Sequence, residues 1–165
     1  MADFYIPYKP FNIHLPLHLS SSREKCAIGS VGSGKTLALC GEAIRWAHDV
    51  PGRKLMICRN TVPSLRDSTE DEFISLLSTP PDMDDPDEES TTLWELIEQK
   101  KLLKRSGGHV DHFYFPNGSQ VMVRSLDKWT KSMSYTLSFI GVDEANEIDF
   151  TTYVNLTSRL RQKHP

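Results

Sequence analysis

Gly29-Ser30-Val31-Gly32-Ser33-Gly34-Lys35-Thr36 decides how this chain is read. It fits the pattern G-x-x-x-x-G-K-[ST] at every position. Glycines let a backbone wrap a polyphosphate without side-chain clash. The N–H groups of such a loop turn inward to phosphate oxygens, and the helix that follows presents its positive end to the same anion. The whole stretch, including Ser30, Val31 and Ser33, is therefore a candidate nucleotide cradle. Lys35 is expected to reach the β- and γ-phosphates, and Thr36 to offer its hydroxyl to Mg²⁺.

The flanks supply the context that this pattern requires. Upstream, Cys26-Ala27-Ile28 is a short apolar run ending in glycine, read as a buried strand. Downstream, Lys35 to Asp49 has apolar positions near a 3.6-residue period, and Pro51-Gly52 ends it, which predicts a helix. Lys54 to Cys58 reads as a second strand and Pro63 to Leu77 as a second helix. This β-α-β-α order predicts an α/β fold, a mostly parallel central sheet flanked by helices. Leu93 to Leu103 reads as a short amphipathic helix. His109 to Phe115 and Ser119 to Arg124 flank Pro116-Asn117-Gly118, a hairpin signal because Asn-Gly tolerates positive φ. Thr136 to Val142 is read as a further buried strand and Thr151 to Arg161 as a final helix.

The strand Ser138-Phe139-Ile140-Gly141-Val142 ends in Asp143-Glu144. Open α/β sheets hold ligands at the carboxyl ends of their strands. Asp143 is expected to hold Mg²⁺ through water, and Glu144 to polarise a water as general base. A second acid directly after the magnesium acid points to ATP hydrolysis.

The remaining features bound the class. The chain has 165 residues, 38% hydrophobic and 25% charged, as expected of a single globular domain, 1–165. No apolar stretch approaches the roughly 18 residues of a membrane span, and Met1 to Pro10 has no secretory pattern. Cys26, Cys40 and Cys58 are scattered, which suits reduced intracellular thiols. Six of the 22 acids fall between Asp82 and Glu89, leaving 19 basic against 16 acidic residues elsewhere. That clustering, with three prolines, makes 78–92 an acidic mobile loop. Residues 1–22 read as an extended arm.

The combination resembles the N-terminal ATPase domain of phage terminase large subunits, the motors of viral DNA packaging. The likeness rests on Ser21 to Thr36 (SSREKCAIGSVGSGKT), on Cys58-Arg59-Asn60-Thr61 with Ser64 to Ser68, and on Phe139 to Glu147 (FIGVDEANE). Tyr153, Leu156, Arg159, Leu160 and Arg161 extend it. It spans about Tyr8 to Arg161. The resemblance implies a RecA-like, ASCE-type P-loop NTPase fold, incomplete at the C-terminus and without the nuclease domain. It also implies ATP and Mg²⁺, a homo-oligomeric ring at the procapsid portal, a small terminase subunit as partner, and translocation of double-stranded DNA in the host cytoplasm.

There are departures from the family pattern. Where the family often has an adenine-reading glutamine, this chain has His14. The family's trans-acting arginine lies a little before the magnesium acid; the nearest basic residue here is Lys131, a point charge without the guanidinium fork. Arg59 and Arg66 are read either as γ-phosphate or DNA contacts or as surface charge. Lys100, Lys101, Lys104 and Arg105 are read as a solvated face before a phosphate track. Trp46, Trp94 and Trp129 are read as packing residues, and His109 and His112 lack partners for a zinc site. Ending at Pro165, the chain is expected to bind ATP, hydrolyse it weakly and not cut DNA. The alternatives are another P-loop ATPase, helicase-like or a small kinase, and a nucleotide-binding assembly module that does not hydrolyse.

Overall fold

A computed structural model describes residues 8–79, 92–99, 102–106, 110–127 and 135–162. The arm enters through a 3-10 turn, Asn12–His14, and a short helix α1, Leu15–Leu19. The extended arm expected there is instead helical over these residues. Pro16 sits in the first turn of α1, where its missing N–H costs nothing.

Helix α2, Lys35–Asp49, has the bounds that its sequence predicts. It leads to β1, Lys54–Arg59. The predicted helix after β1 forms as one helical run, through α3 (Val62–Ser64), a π-helical turn (Leu65–Glu70) and α4 (Asp71–Ser78). Helix α5, Leu93–Gln99, is shorter than expected. Its entry is a capping box: the Thr92 N–H donates to Glu95 Oε2 at 2.8 Å and the Glu95 N–H to Thr92 Oγ1 at 3.2 Å. Leu103 already belongs to β2, Leu103–Ser106, which is followed by β3 (Val110–Tyr114) and β4 (Gln120–Ser125). Strand β5, Phe139–Val142, starts later than predicted. A 3-10 turn, Ala145–Glu147, then leads to α6, Phe150–Thr157, shorter than the helix expected there. Asp149 caps α6 by accepting from the Thr152 N–H at 2.7 Å.

The sheet order is β2-β3-β4-β1-β5. β1 pairs in parallel with both β4 and β5, whereas β2–β3 and β3–β4 are antiparallel. The sheet is thus mixed, not mostly parallel. The reason is local: residues 115–119 are too short a link for the crossover that parallel pairing needs. Within that link only Gly118 has positive φ, at 84°; Asn117 does not. The Asn117 side chain instead donates to the carbonyls of Ala47 and His48, at 2.8 and 3.3 Å, and so satisfies the end of α2.

β1 explains why the sheet carries two layers of packing. Leu55 and Ile57 join one core with Ile44, Phe73, Leu77, Phe113, Val121 and Val123. Met56 and Cys58, facing the other way, join Met122, Leu126, Leu137 and Leu156 of α6. A strand buried on both faces reads as an unbroken apolar run, as KLMIC does. Each large apolar side chain withdrawn from water contributes on the order of 2 kcal/mol.

The strand expected at Cys26-Ala27-Ile28 does not form. These residues have no regular structure, and Ile28 is 95% exposed. Three residues cannot make a strand without a ladder partner, and among the described residues none pairs with them. Among the described residues no helix is long and apolar enough to cross a membrane.

Candidate nucleotide site

The loop Gly29–Thr36 runs directly into the N-terminus of α2. Gly32 and Gly34 adopt φ of 76° and 75°, a region that side chains avoid. Gly34 is also crowded: a Cβ there would lie 3.0 Å from the His14 ring and 3.2 Å from that of Phe11. The arm therefore packs against the loop at its tightest point. Lys35 Nζ donates to the carbonyls of Gly29 and Ser30 at 3.0 and 2.8 Å. Its ammonium thus lies inside the curl of the loop, beside the unpaired N–H groups that begin every helix. Val31, at the tip, is fully exposed.

Asp143 emerges from the carboxyl end of β5 and is buried. Three elements converge on its carboxylate. Thr36 Oγ1, in the first turn of α2, donates to Oδ1 at 3.1 Å. Thr69 Oγ1, in the π-helical turn, donates to Oδ2 at 2.7 Å. The Arg59 guanidinium, at the end of β1, stands 3.6 Å from Oδ2 and 3.8 Å from Glu147. Glu144 follows at φ 51°, ψ 57°, the only described residue besides glycines with positive φ. Such a conformation in a bulky residue is uncommon; here it turns the chain sharply off β5, and the Glu147 N–H closes the turn on the Glu144 carbonyl at 2.9 Å.

A hydroxyl and a carboxylate are hard oxygen donors of the kind Mg²⁺ takes. Among the described residues no group of three or more His, Cys, Asp or Glu gathers to hold a metal. Thr36 and Asp143 are the residues here that could hold such a cation.

Beside the loop lies a cleft of about 370 Å³, walled by His14, Pro16 and Leu17 of the arm and by Cys26, Ser33 and Lys35. His14 is buried, and its Nδ1 has no hydrogen-bond partner among the described residues. A buried network holds the arm to α2: Glu42 accepts from Arg45, Trp46 and Lys25 and pairs with His18 Nδ1 at 2.6 Å. Burial pushes the Glu42 carboxyl up, but hydrogen bonds from Arg45 and His18 and the charge of Arg45 outweigh it and bring it to about 2. Burial first, with the nearby Asp143 charge, pushes the Cys58 thiol up to about 12 against the opposing charge of Arg124.

The structure thus gathers Lys35, Thr36, Asp143 and Arg59. Arg66 is not part of that group; its guanidinium lies 3.9 Å from Asp111. Lys104 lies over the Tyr114 ring at 5.0 Å. Trp46 and Trp94 pack against the core. Lys131, Trp129, His109, Lys100, Lys101 and residues 80–91 of the acidic segment lie outside the described residues. Thr69 was missed, although a signal was present: Leu65, Thr69, Phe73 and Leu77 recur at four-residue spacing, and a lone hydroxyl on an apolar stripe calls for a buried partner.

The family profile described as terminase large subunit, T4-like-virus type, N-terminal, matches residues 26–164. No curated protein and no solved structure matches the chain.

Proposed function

We propose that this chain, which belongs to the terminase large-subunit family as its N-terminal domain, binds ATP with Mg²⁺ at Gly29–Thr36 and is the ATPase part of a DNA-packaging motor. One observation carries the reading: the hydroxyl of Thr36, next to Lys35 at the start of α2, meets the carboxylate of Asp143 at 3.1 Å. A loop that curls around an ammonium at a helix N-terminus and a carboxylate at a strand's carboxyl end are the two halves of a magnesium–triphosphate site.

In this reading the backbone of Gly29 to Gly34 takes the phosphates, and Lys35 turns from its carbonyl partners to the β- and γ-phosphates. Thr36 and Asp143 would hold the cation, whose charge would offset that of the phosphates. Glu144 orients the attacking water, and Arg59 adds positive charge at the end of β1. The cleft walled by His14, Pro16 and Leu17 receives the nucleoside. The RecA-like P-loop fold belongs to the same reading, as do ring assembly, the portal, the small terminase subunit, double-stranded DNA and a place in the host cytoplasm. Their support is family membership. Lys131 is kept as the candidate trans-acting residue on its position before Asp143 alone.

The test is direct. ATP binding is measured with and without Mg²⁺, then ATP turnover with and without double-stranded DNA. Magnesium-dependent binding, with turnover raised by DNA in the longer, assembled protein, is the expected result. Absence of nucleotide binding in both conditions overturns the proposal.

A further inference from the structure

We propose that Thr69 is a positioning residue that fixes the orientation of the Asp143 carboxylate toward a divalent cation. The inference rests on the nucleotide–magnesium reading of the site. Thr69 has no exposed surface, and its hydroxyl donates to Asp143 Oδ2 at 2.7 Å, while Thr36 donates to Oδ1 at 3.1 Å. Two donors from different elements hold the carboxylate by both oxygens and so set its plane. Each oxygen keeps a lone pair free for a cation or its water shell. With its hydroxyl hydrogen bonded to Asp143, Thr36 still has its own oxygen lone pairs for a cation.

The backbone around Thr69 is built for this contact. Leu65–Glu70 is a π-helical turn within a longer helical run. Such turns are rare and are frequently found at functional sites. The Cys40 thiol of α2 donates to the Thr69 carbonyl at 3.7 Å, which ties the turn to the helix that carries Lys35 and Thr36. Leu65 and Phe73, buried on either side, anchor it in the core.

Arg59 shows what Thr69 prevents. Its guanidinium is 3.6 Å from the same Oδ2, too far for a hydrogen bond but close enough to attract it. Without the Thr69 hydroxyl, the Arg59 charge is the remaining pull on Oδ2. The carboxylate then closes on Arg59 to hydrogen-bonding distance and moves out of register with Thr36.

The experiment titrates Mg²⁺ against a fluorescent ATP analogue bound to the wild-type chain and to Thr69→Val and Thr69→Ser. Melting temperatures are measured without nucleotide. Valine is expected to raise the Mg²⁺ half-saturation about tenfold or more, in line with other residues that orient metal ligands, and serine to restore it. Water-proton relaxation of bound Mn²⁺ is expected to follow the same order. An unchanged half-saturation in Thr69→Val, even with a lowered melting temperature, overturns the proposal, as does a serine variant as impaired as valine. If valine prevents folding, Thr69→Ala is judged by the same criterion. A wild-type chain that binds the analogue with no Mg²⁺ dependence overturns the magnesium reading itself, a result distinct from failure of Thr69 alone.

Discussion

Thr36 Oγ1 donates to Asp143 Oδ1 at 3.1 Å, although 107 positions separate the two residues in sequence. The contact joins the first turn of α2 to the carboxyl end of β5, with β1 lying beside β5 in the sheet. It makes one site of a loop and an acid that are otherwise separate features.

Lys35→Ala tests the loop half of that site. The ammonium now rests on the Gly29 and Ser30 carbonyls, and a phosphate would replace them with a charge-assisted bond. Its loss is expected to cost about 1.5–3 kcal/mol of nucleotide binding. Calorimetric or fluorescence titration reads this directly, and affinity equal to wild type refutes the cradle.

Glu144→Gln tests the acid that follows. The amide keeps size and backbone geometry at φ 51° but cannot take a proton. ATP binding is expected to persist while turnover in the longer, assembled protein falls by roughly 10²–10⁴. Undiminished turnover would remove Glu144 from the mechanism.

The Glu42 network predicts an acid dependence of stability. Folding holds this carboxyl at about 2 against an ordinary value of 4.5. Between these values the unfolded chain binds more protons, so stability rises with pH. The contribution is complete above pH 4.5 and is lost as pH falls toward 2. Glu42→Gln is expected to flatten the melting profile across that window and to destabilise the fold at neutral pH by about 1–3 kcal/mol. A profile as steep as wild type between pH 4.5 and 2 counts against the network.

Thiol labelling distinguishes the cysteines. Cys26 is exposed beside the cleft, whereas Cys40 and Cys58 are buried with their thiols held protonated, in both cases by burial first. Only thiolate reacts readily. One thiol per native chain is expected to react with a disulfide reagent and three after denaturation. Saturating ATP and Mg²⁺ are expected to slow labelling of Cys26, which lines the same cleft as Lys35. Rapid reaction of two or three native thiols would contradict the packing around β1.

By itself the sequence determined the features that depend on neighbours in the chain. Period and punctuation set α2 at its observed bounds, the KLMIC run marked the strand β1, and Pro116-Asn117-Gly118 marked the hairpin. The glycine spacing before Lys35-Thr36 and the acids after an apolar strand named the candidate site, because local backbone and charge requirements are written in consecutive residues. Tertiary structure decided what depends on partners. Cys26-Ala27-Ile28 is apolar enough for a strand, but with no described residue pairing to it, it stays an exposed loop. The sheet became mixed because a short hairpin link must reverse direction. Arg59 and Arg66 look alike in sequence, yet one comes to lie by Asp143 and the other by Asp111. Thr69 acquires its contact only because the π-helical turn packs on β1, the neighbour of β5, placing a buried hydroxyl 2.7 Å from a carboxylate 74 positions away.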